Sequence, residues 1–198
     1  MGNKLLREQI APGAYFSSVR DGKFKNNRIT AHMILPLCRE DATQNALLPF
    51  LMRKGSADCP DFTALNRRLT GLYGATLEAD VGKFRNSQVM ELSIIGLDDR
   101  FALEREEVVR QCAQLLAGVL FRPHFVEGSF PAADVELEKN YLKNTIEGEI
   151  NDKRSYAMLR ALDTMNEGQP NALRKYGYIE DLDRITPAAC REAYDRMI

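Results

Sequence analysis

The 198-residue sequence has only two histidines, His32 and His124, and no tryptophan. Neither histidine belongs to an H-x-x-E-H segment or a similar pair, so no helix of this chain can offer two imidazole ligands to one metal ion. The cysteines also lack metal-binding spacing, because no C-x-x-C pair occurs. We therefore expect reduced, mostly buried thiols at the four cysteines, which are Cys38, Cys59, Cys112 and Cys190.

Neither sign of charge is in excess. The chain has 27 basic and 28 acidic side chains and a formal net charge of -1. Phosphate binding needs clustered Lys and Arg, so the sequence gives no reason to expect a nucleic-acid partner. The glycines Gly71, Gly74 and Gly82 fit neither the G-x-x-x-x-G-K-[ST] phosphate loop nor the G-x-G-x-x-G dinucleotide motif. We expect no cofactor.

Long apolar runs are missing as well. No stretch of about 18 apolar residues is present that could span a bilayer. The segment from Met1 to Gly13 lacks the apolar core of a signal peptide. These two features predict a protein that does not bind membranes and that works in the cytoplasm.

The first third of the chain reads as strands followed by a helix. Residues 5–37 are extended in character and predict a hairpin or meander with one buried face and a charged turn at 21–27. Apolar residues at helical spacing then predict a helix over about 42–54. Either Asp41 or Thr43 can cap the start of that helix.

The middle of the chain predicts a second helix and a second pair of strands. The helix opens after Pro60, and Gly74 can end it in a left-handed conformation. Residues 75–84 and 87–96 then alternate between apolar and polar side chains, and the turn-forming Arg85-Asn86 joins them into an antiparallel pair. The sheet should therefore have about four strands.

The rest of the chain reads as helical. We predict a long helix over 99–121, then two helices within 134–160 separated by a break near Gly148. Thr186-Pro187 should open a final helix as N-cap and first-turn proline. This order predicts one α+β domain over residues 1–198, with helices packed on a mainly antiparallel sheet.

Four segments in succession resemble one protein family. They are ALLPFLMRKGS at 46–56, LNRRLTGLYGATLEADVGK at 65–83, LFRPHF at 120–125 and VELEKNYLKNTIEGEINDK at 135–153. In this order they are similar to the first domain of the M16 family of inverted zinc proteases, which includes insulinase and the mitochondrial processing peptidase. The resemblance implies an M16 peptidase-like fold. It also implies that residues 1–198 are the N-terminal domain of a longer, two-domain chain.

Within that family the sequence is most similar to a non-catalytic bacterial branch. Five shared segments carry this resemblance: Lys23 to Ile29, Ala46 to Pro49, Leu72 to Ala75, Glu138 to Leu142 and Asn151 to Arg160. The branch is associated with the attachment of 5-aminopentanol to translation elongation factor P. The resemblance implies that process, and nothing in the composition or spacing of the residues indicates it.

The resemblance also implies that the metal site is lost. It assigns Ala46 and Phe50 to the positions of the two histidine ligands, Pro49 to the general base, and Thr145, seven residues after Glu138, to the third ligand. Alanine and phenylalanine have no lone pair for a metal ion, and proline cannot accept a proton. We therefore expect no zinc and no peptidase activity. We also expect an irregular helix at Pro49, with Phe50 packed inward.

Three interpretations of function remain open. The first is an inactive M16 homologue that binds an extended peptide or a catalytic M16 sibling subunit. The second is an enzyme with different, non-zinc chemistry on the same fold, for which Glu147, Glu149 and Asp152 are candidate acid-base groups, although such a run is usually a solvated face. The third is a purely structural module. Since the family's domain continues into one more strand after the last helix, we also expect a free sheet edge and self-association of this chain.

Overall fold

The computed structural model describes residues 5–104 and 106–198. Within them, five strands form two antiparallel sheets, where the sequence predicted about four strands. Three strands form the larger sheet in the order β3-β5-β4. The strands are β1 (Leu5–Ala11), β2 (Ala14–Val19), β3 (Asn26–Pro36), β4 (Thr76–Phe84) and β5 (Ser87–Leu97).

The strands β1 and β2 form a separate hairpin with its turn at Pro12-Gly13, where Gly13 has a φ of 77°. The predicted turn in the charged segment 21–27 is also present, at residues 22–23, and it joins β2 to β3. One buried face was predicted for residues 5–37, and this is wrong for the hairpin, where Leu6, Ile10 and Phe16 are at least half exposed. The prediction is confirmed for β3, whose alternating apolar side chains pack against the core: Ile29, Ala31, Met33 and Leu35.

The helices of the described residues form a layer on one face of the larger sheet, and those at Ala42–Met52 and Val108–Phe121 contact the sheet most extensively. On that face Met90, Leu92 and Ile94 of β5 are fully buried. The helices are α1 (Ala42–Met52), α2 (Phe62–Gly71), α3 (Val108–Phe121), α4 (Ala132–Gly148), α5 (Lys153–Met165), α6 (Ile179–Leu182) and α7 (Pro187–Met197). None of these helices is both long enough and apolar enough to cross a membrane.

Side-chain caps hold several helix starts, and the predicted cap at Thr186 is confirmed. Thr186 accepts from the Ala189 main-chain N–H at the start of α7, and Asp61 accepts from the Ala64 main-chain N–H at the start of α2. The break between α4 and α5 is a short 3₁₀ turn at Glu149–Asn151. Asp152 then caps α5, because its carboxylate accepts from the main-chain N–H and the hydroxyl of Ser155.

One predicted helix start was wrong, and one predicted cap makes no side-chain hydrogen bond. A helix was expected over 99–121. Its first residues, Asp99–Phe101, form a 3₁₀ turn instead, and α3 begins only at Val108. Asp98 holds that turn, since its carboxylate accepts from the main chain and the guanidinium of Arg100. At α1, Asp41 occupies the N-cap position without a side-chain hydrogen bond, and Thr43 lies inside the helix.

The predicted burial of the cysteines is confirmed for three of the four. Cys59, Cys112 and Cys190 are buried free thiols, and Cys38 is exposed. Burial raises the pKa of the Cys190 thiol to about 12, and it also raises the pKa of Cys112. A raised pKa lowers the fraction of reactive thiolate.

We therefore predict that a thiol reagent at pH 8 labels the native protein rapidly at Cys38 alone. At that pH a thiol with the pKa of Cys190 is ionised in only about one molecule in ten thousand, and it is also shielded from the reagent. Absorbance at 412 nm with Ellman's reagent counts the reactive groups. All four cysteines should react once the protein is unfolded in guanidinium chloride, and rapid labelling of two or more native thiols would contradict the prediction.

Candidate functional site

The three α1 positions assigned by resemblance lie in a tightly packed helix. Ala46 is fully buried and Phe50 is 9% exposed. The predicted irregularity at Pro49 does not break the helix, because α1 runs from Ala42 to Met52 with Pro49 inside it. Every residue of α1 except Gln44 is buried, so tertiary packing outweighs the hydrogen bond that proline cannot donate to the Asn45 carbonyl.

The fourth position, Thr145, lies on α4, which packs against α1. Its hydroxyl donates to the main-chain oxygen of Tyr141 at 2.9 Å, a bond that stays within the helix. The Tyr141 ring lies 6.5 Å from the Phe50 ring, measured between centroids. The space between the two helices therefore contains aromatic carbon, and the Thr145 hydroxyl already has a partner.

A buried ion pair joins the same two helices. Lys54, two residues after the end of α1, places its Nζ 2.6 Å from Oε1 of Glu138 on α4. The Glu138 side chain is only 4% exposed and that of Lys54 is 21% exposed. Sequence reasoning noted Glu138 and the Lys54-Gly55 pair separately. It did not predict their contact, which depends on how α1 and α4 pack.

The other candidate groups are not brought together. Glu147 is exposed, Asp152 caps α5, and Glu149 lies 3.9 Å from the guanidinium of Arg174. Burial raises the pKa of Glu149, and Arg174 partly offsets that effect. The hydrogen bonds from Ser155 lower the pKa of Asp152. Two of these three carboxylates thus have separate structural roles, which gives no support to an acid-base pair.

The two histidines lie in different parts of the molecule. His32 is on the uncovered face of the larger sheet, where its Nε2 lies 3.1 Å from Oε2 of Glu91. His124 follows α3 and lies near the end of α1: its main-chain N–H donates to the Gly55 oxygen, and it lines a small pocket with Leu51 and Lys54. Among residues 5–104 and 106–198, no three His, Cys, Asp or Glu side chains are grouped so that they could hold a metal ion.

The start of α1 is fixed by buried polar contacts. The Gln88 amide nitrogen donates to the main-chain oxygens of Ala42 and Lys175, at 2.8 and 2.6 Å. The Thr43 hydroxyl donates to Asp181 and accepts from the Tyr178 main-chain N–H. These bonds tie α1 to β5 and to the segment before α6.

Asp181 is also held by Arg39. Burial acts to raise the pKa of Asp181, but the hydrogen bonds from Arg39 and Thr43 outweigh it and the pKa is lowered. The Arg39 guanidinium also stacks on the Tyr178 ring, 3.8 Å from its centroid. The packing of α1 is therefore set by specific contacts at its first turn and by the ion pair beyond its last turn.

Comparison with known proteins agrees with this architecture. The chain is 27% identical to a conserved protein from Enterococcus faecalis V583, and the structures match with a TM-score of 0.87 over 98% of this chain and 45% of that one. An inactive peptidase M16 domain from Pseudomonas fluorescens matches with a TM-score of 0.68 at 19% identity, over 96% of this chain and 42% of that one. The predicted α+β fold of M16 peptidase-like type is confirmed.

The sequence has a curated relative of the same type. It is 30% identical over 180 residues to the probable inactive metalloprotease YmfF of Bacillus subtilis (strain 168), a match that covers 91% of this chain. The chain spans only 42% of that relative. No protein-family model matches the sequence. Together these similarities support an M16-like domain of the inactive type.

Proposed function

We propose that this chain is a catalytically inactive M16 domain that acts by binding. The proposal rests on the resemblance, which assigns Ala46, Pro49, Phe50 and Thr145 to the positions that active members use for metal ligands and base, and one observation supports it: the first three are buried. A metal ion with its bound water needs polar ligands and an open coordination position. Here the buried Phe50 stands at one of these positions, and the exposed ring of Tyr141 on α4 lies 6.5 Å from it.

We predict that the purified chain retains less than one zinc ion per ten molecules after exposure to zinc and desalting, since it lacks the ligands. Inductively coupled plasma mass spectrometry measures the ratio. The matched variant combines Ala46→His, Pro49→Glu, Phe50→His and Thr145→Glu, and it should gain zinc at some cost in stability because Ala46 is fully buried. Stoichiometric zinc on the wild type, or a folded quadruple variant without zinc, would contradict the assigned positions.

The proposed partner is a catalytic M16 sibling subunit, or an extended peptide held with it, in the cytoplasm. The inactive relatives named above support the lack of catalysis, and both the binding role and the partner follow from the resemblance alone. Co-expression of the chain with the catalytic M16 protein of its own cell should give one complex in size-exclusion chromatography. Separate elution of the two proteins at about 10 μM, an affinity weaker than about -7 kcal/mol, would argue against a stable subunit pair.

We further propose that the process served is the attachment of 5-aminopentanol to elongation factor P. This step rests on the resemblance to the non-catalytic bacterial branch. Deletion of the gene should remove the modification, and the intact mass of elongation factor P would show the loss. An unchanged mass would contradict a role in this modification, and it would leave the inactive-subunit proposal intact.

We also propose that residues 1–198 act as the N-terminal domain of a longer, two-domain protein and that this chain alone self-associates. The relatives are more than twice as long as the part matched here. One edge of β3 is unpaired among the described strands, and the hairpin exposes Leu6, Ile10 and Phe16. Unpaired edges and exposed apolar patches favour association.

Light scattering should therefore show a dimer that dissociates on dilution. The double variant Ile10→Lys with Phe16→Lys should shift the chain toward monomer, since it places charge on one face of the hairpin. Leu103→Lys is the matched control, because Leu103 is 87% exposed and lies outside the hairpin. A wild-type chain that stays monomeric at about 1 mM would contradict self-association.

A further inference from the structure

Arg53 is a partly buried cation without a counter-ion. It follows α1 directly as the C-cap residue. Its Nε is buried and has no hydrogen-bond partner. No ion pair joins Arg53 to any residue within 5–104 and 106–198. Its guanidinium carbon lies 5.8 Å from the centroid of the Phe50 ring.

The usual role of arginine at a helix end does not account for this side chain. A basic residue in the last turn favours the helix dipole and often donates to the terminal carbonyl groups. The Arg53 guanidinium donates to none of the described carbonyl groups, while the adjacent Lys54 is paired with Glu138. Leaving a buried N–H without an acceptor costs stability. A charged group retained at such a cost suggests a missing acceptor.

A small pocket lies beside this guanidinium. Its volume is about 220 Å³, which is below the range typical of drug-sized ligands and suits a single side chain or small acid. The walls come from α1, α2 and the start of β4, and they are mostly apolar. The lining residues are Arg53, Phe62, Leu65, Asn66, Leu69, Ala75, Thr76 and Leu77.

The pocket offers few polar groups besides Arg53. The Asn66 amide nitrogen already donates to the Phe62 main-chain oxygen, so the Asn66 side chain is held by its own helix. The Thr76 hydroxyl lies at the start of β4, which is an edge strand. No carboxylate lines the pocket. One guanidinium in an apolar cavity matches a ligand with one negative charge and an apolar body.

We propose that this pocket binds a carboxylate attached to a short, branched apolar group. A guanidinium can form two parallel hydrogen bonds with a carboxylate, and the low local polarity strengthens them. A phosphate group is less suited, because a second positive charge is absent from the lining residues. The carboxylate can come from the C-terminus of a peptide that ends in a residue such as leucine, or from a free small acid.

The pocket does not depend on the partner proposed above. It lies next to Phe50, beside the region where active members bind metal, and it would be present whether or not a catalytic sibling binds. The experiment therefore uses this chain alone with small probes. A failure to bind them would leave the inactive-subunit proposal standing, and a failure of that proposal would leave this pocket unaffected.

Amide chemical shifts of the ¹⁵N-labelled chain should report the binding directly. The probes are isovalerate, N-acetyl-Ala-Ala-Leu as the free acid, its C-terminal amide, and inorganic phosphate. Both acids should shift the amide signals of Leu69, Thr76 and Leu77 with dissociation constants in the millimolar range. Tighter binding of the peptide acid would assign the carboxylate to a peptide terminus, and equal binding would assign it to a small acid.

Arg53→Gln should weaken the binding of both acids by about tenfold or more, since it removes the charge-assisted hydrogen bonds. Arg53→Lys keeps the positive charge but cannot form two parallel hydrogen bonds with one carboxylate, and it should weaken the binding of the acids by less. Arg67→Gln is the matched control, because Arg67 is an exposed arginine on α2 that does not line the pocket. Thermal melting of each variant checks that it is folded. The proposal is overturned if the amide or phosphate binds as tightly as the acids, or if about 20 mM acid causes no shift.

Discussion

Replacing Lys54 with methionine is expected to lower the free energy of unfolding by about 3 kcal/mol. The substitution leaves Glu138 as a carboxylate that is only 4% exposed and has lost its cation. Removing one partner of a buried pair typically costs about 3–5 kcal/mol. We expect a cost at the low end of this range, since the Lys54 side chain is 21% exposed and water can reach that end of the pair. Thermal melting should show a decrease of roughly 6–12 °C for a chain of this size.

A double substitution tests whether the uncompensated charge of Glu138 causes this loss. Lys54→Met combined with Glu138→Leu removes both charges, and it should recover most of the loss because a buried ion pair contributes little net stability over apolar residues. Arg110→Met is the control, since its pair with Glu107 is well exposed on both sides and should be worth less than about 1 kcal/mol. A double variant as unstable as Lys54→Met would show that packing, and not the uncompensated charge, causes the loss.

The segments that could be predicted from sequence are those fixed by neighbouring residues. The turn at Arg85-Asn86 and the Thr186-Pro187 start of α7 each depend on contacts within a few residues. Arg85 adopts a φ of 52°, as a tight turn requires. The alternation of β4 and β5 likewise follows from one covered and one uncovered sheet face.

The errors arose where distant contacts decide the structure. The extended character of residues 5–37 predicted one buried face throughout, but burial depends on what packs against each strand, and β3 lies on the core while β1 and β2 do not. The helix expected from residue 99 starts at Val108 instead, because the Arg100 guanidinium donates to the main-chain oxygens of Gly22 and Phe24, far away in sequence, and this holds a turn there. At Pro49 the local rule predicted irregularity, and the burial of nearly all of α1 overrides it.

In the candidate site, too, the features that depend on distant contacts could not be predicted from the sequence. The positions Ala46, Pro49, Phe50 and Thr145 were found only through resemblance, because the absence of ligands leaves no chemical pattern to detect. The Lys54–Glu138 pair and the lone guanidinium of Arg53 depend on how α1 packs against α4 and α2. A lysine and a glutamate far apart in sequence have many possible partners, so only the three-dimensional structure identifies the pair.

Replacing Gly177 with alanine is expected to lower the free energy of unfolding by about 3 kcal/mol or more. Gly177 has a φ of 72°, in the left-handed region where a side chain costs about 1–2 kcal/mol. A Cβ at this position would also lie 2.5 Å from the main-chain nitrogen of Thr43 and still closer to its Cα and hydroxyl. Main-chain atoms in a buried helix cannot move aside as a flexible side chain can.

The matched control is Gly168→Ala. Gly168 has a φ of 78°, and a Cβ there would meet nothing within 4 Å, so this variant carries the left-handed strain without the overlap. The Gly168→Ala substitution should lower the free energy of unfolding by only about 1 kcal/mol. Urea unfolding followed by circular dichroism measures both variants, and soluble yield at 37 °C gives a second reading if Gly177→Ala fails to fold. Equal losses in the two variants would show that the overlap with Thr43 is relieved at little cost. A much larger loss at Gly177 would show that the close approach to Thr43 holds the first turn of α1 in place, three residues before Ala46, the position that the resemblance assigns to a histidine ligand.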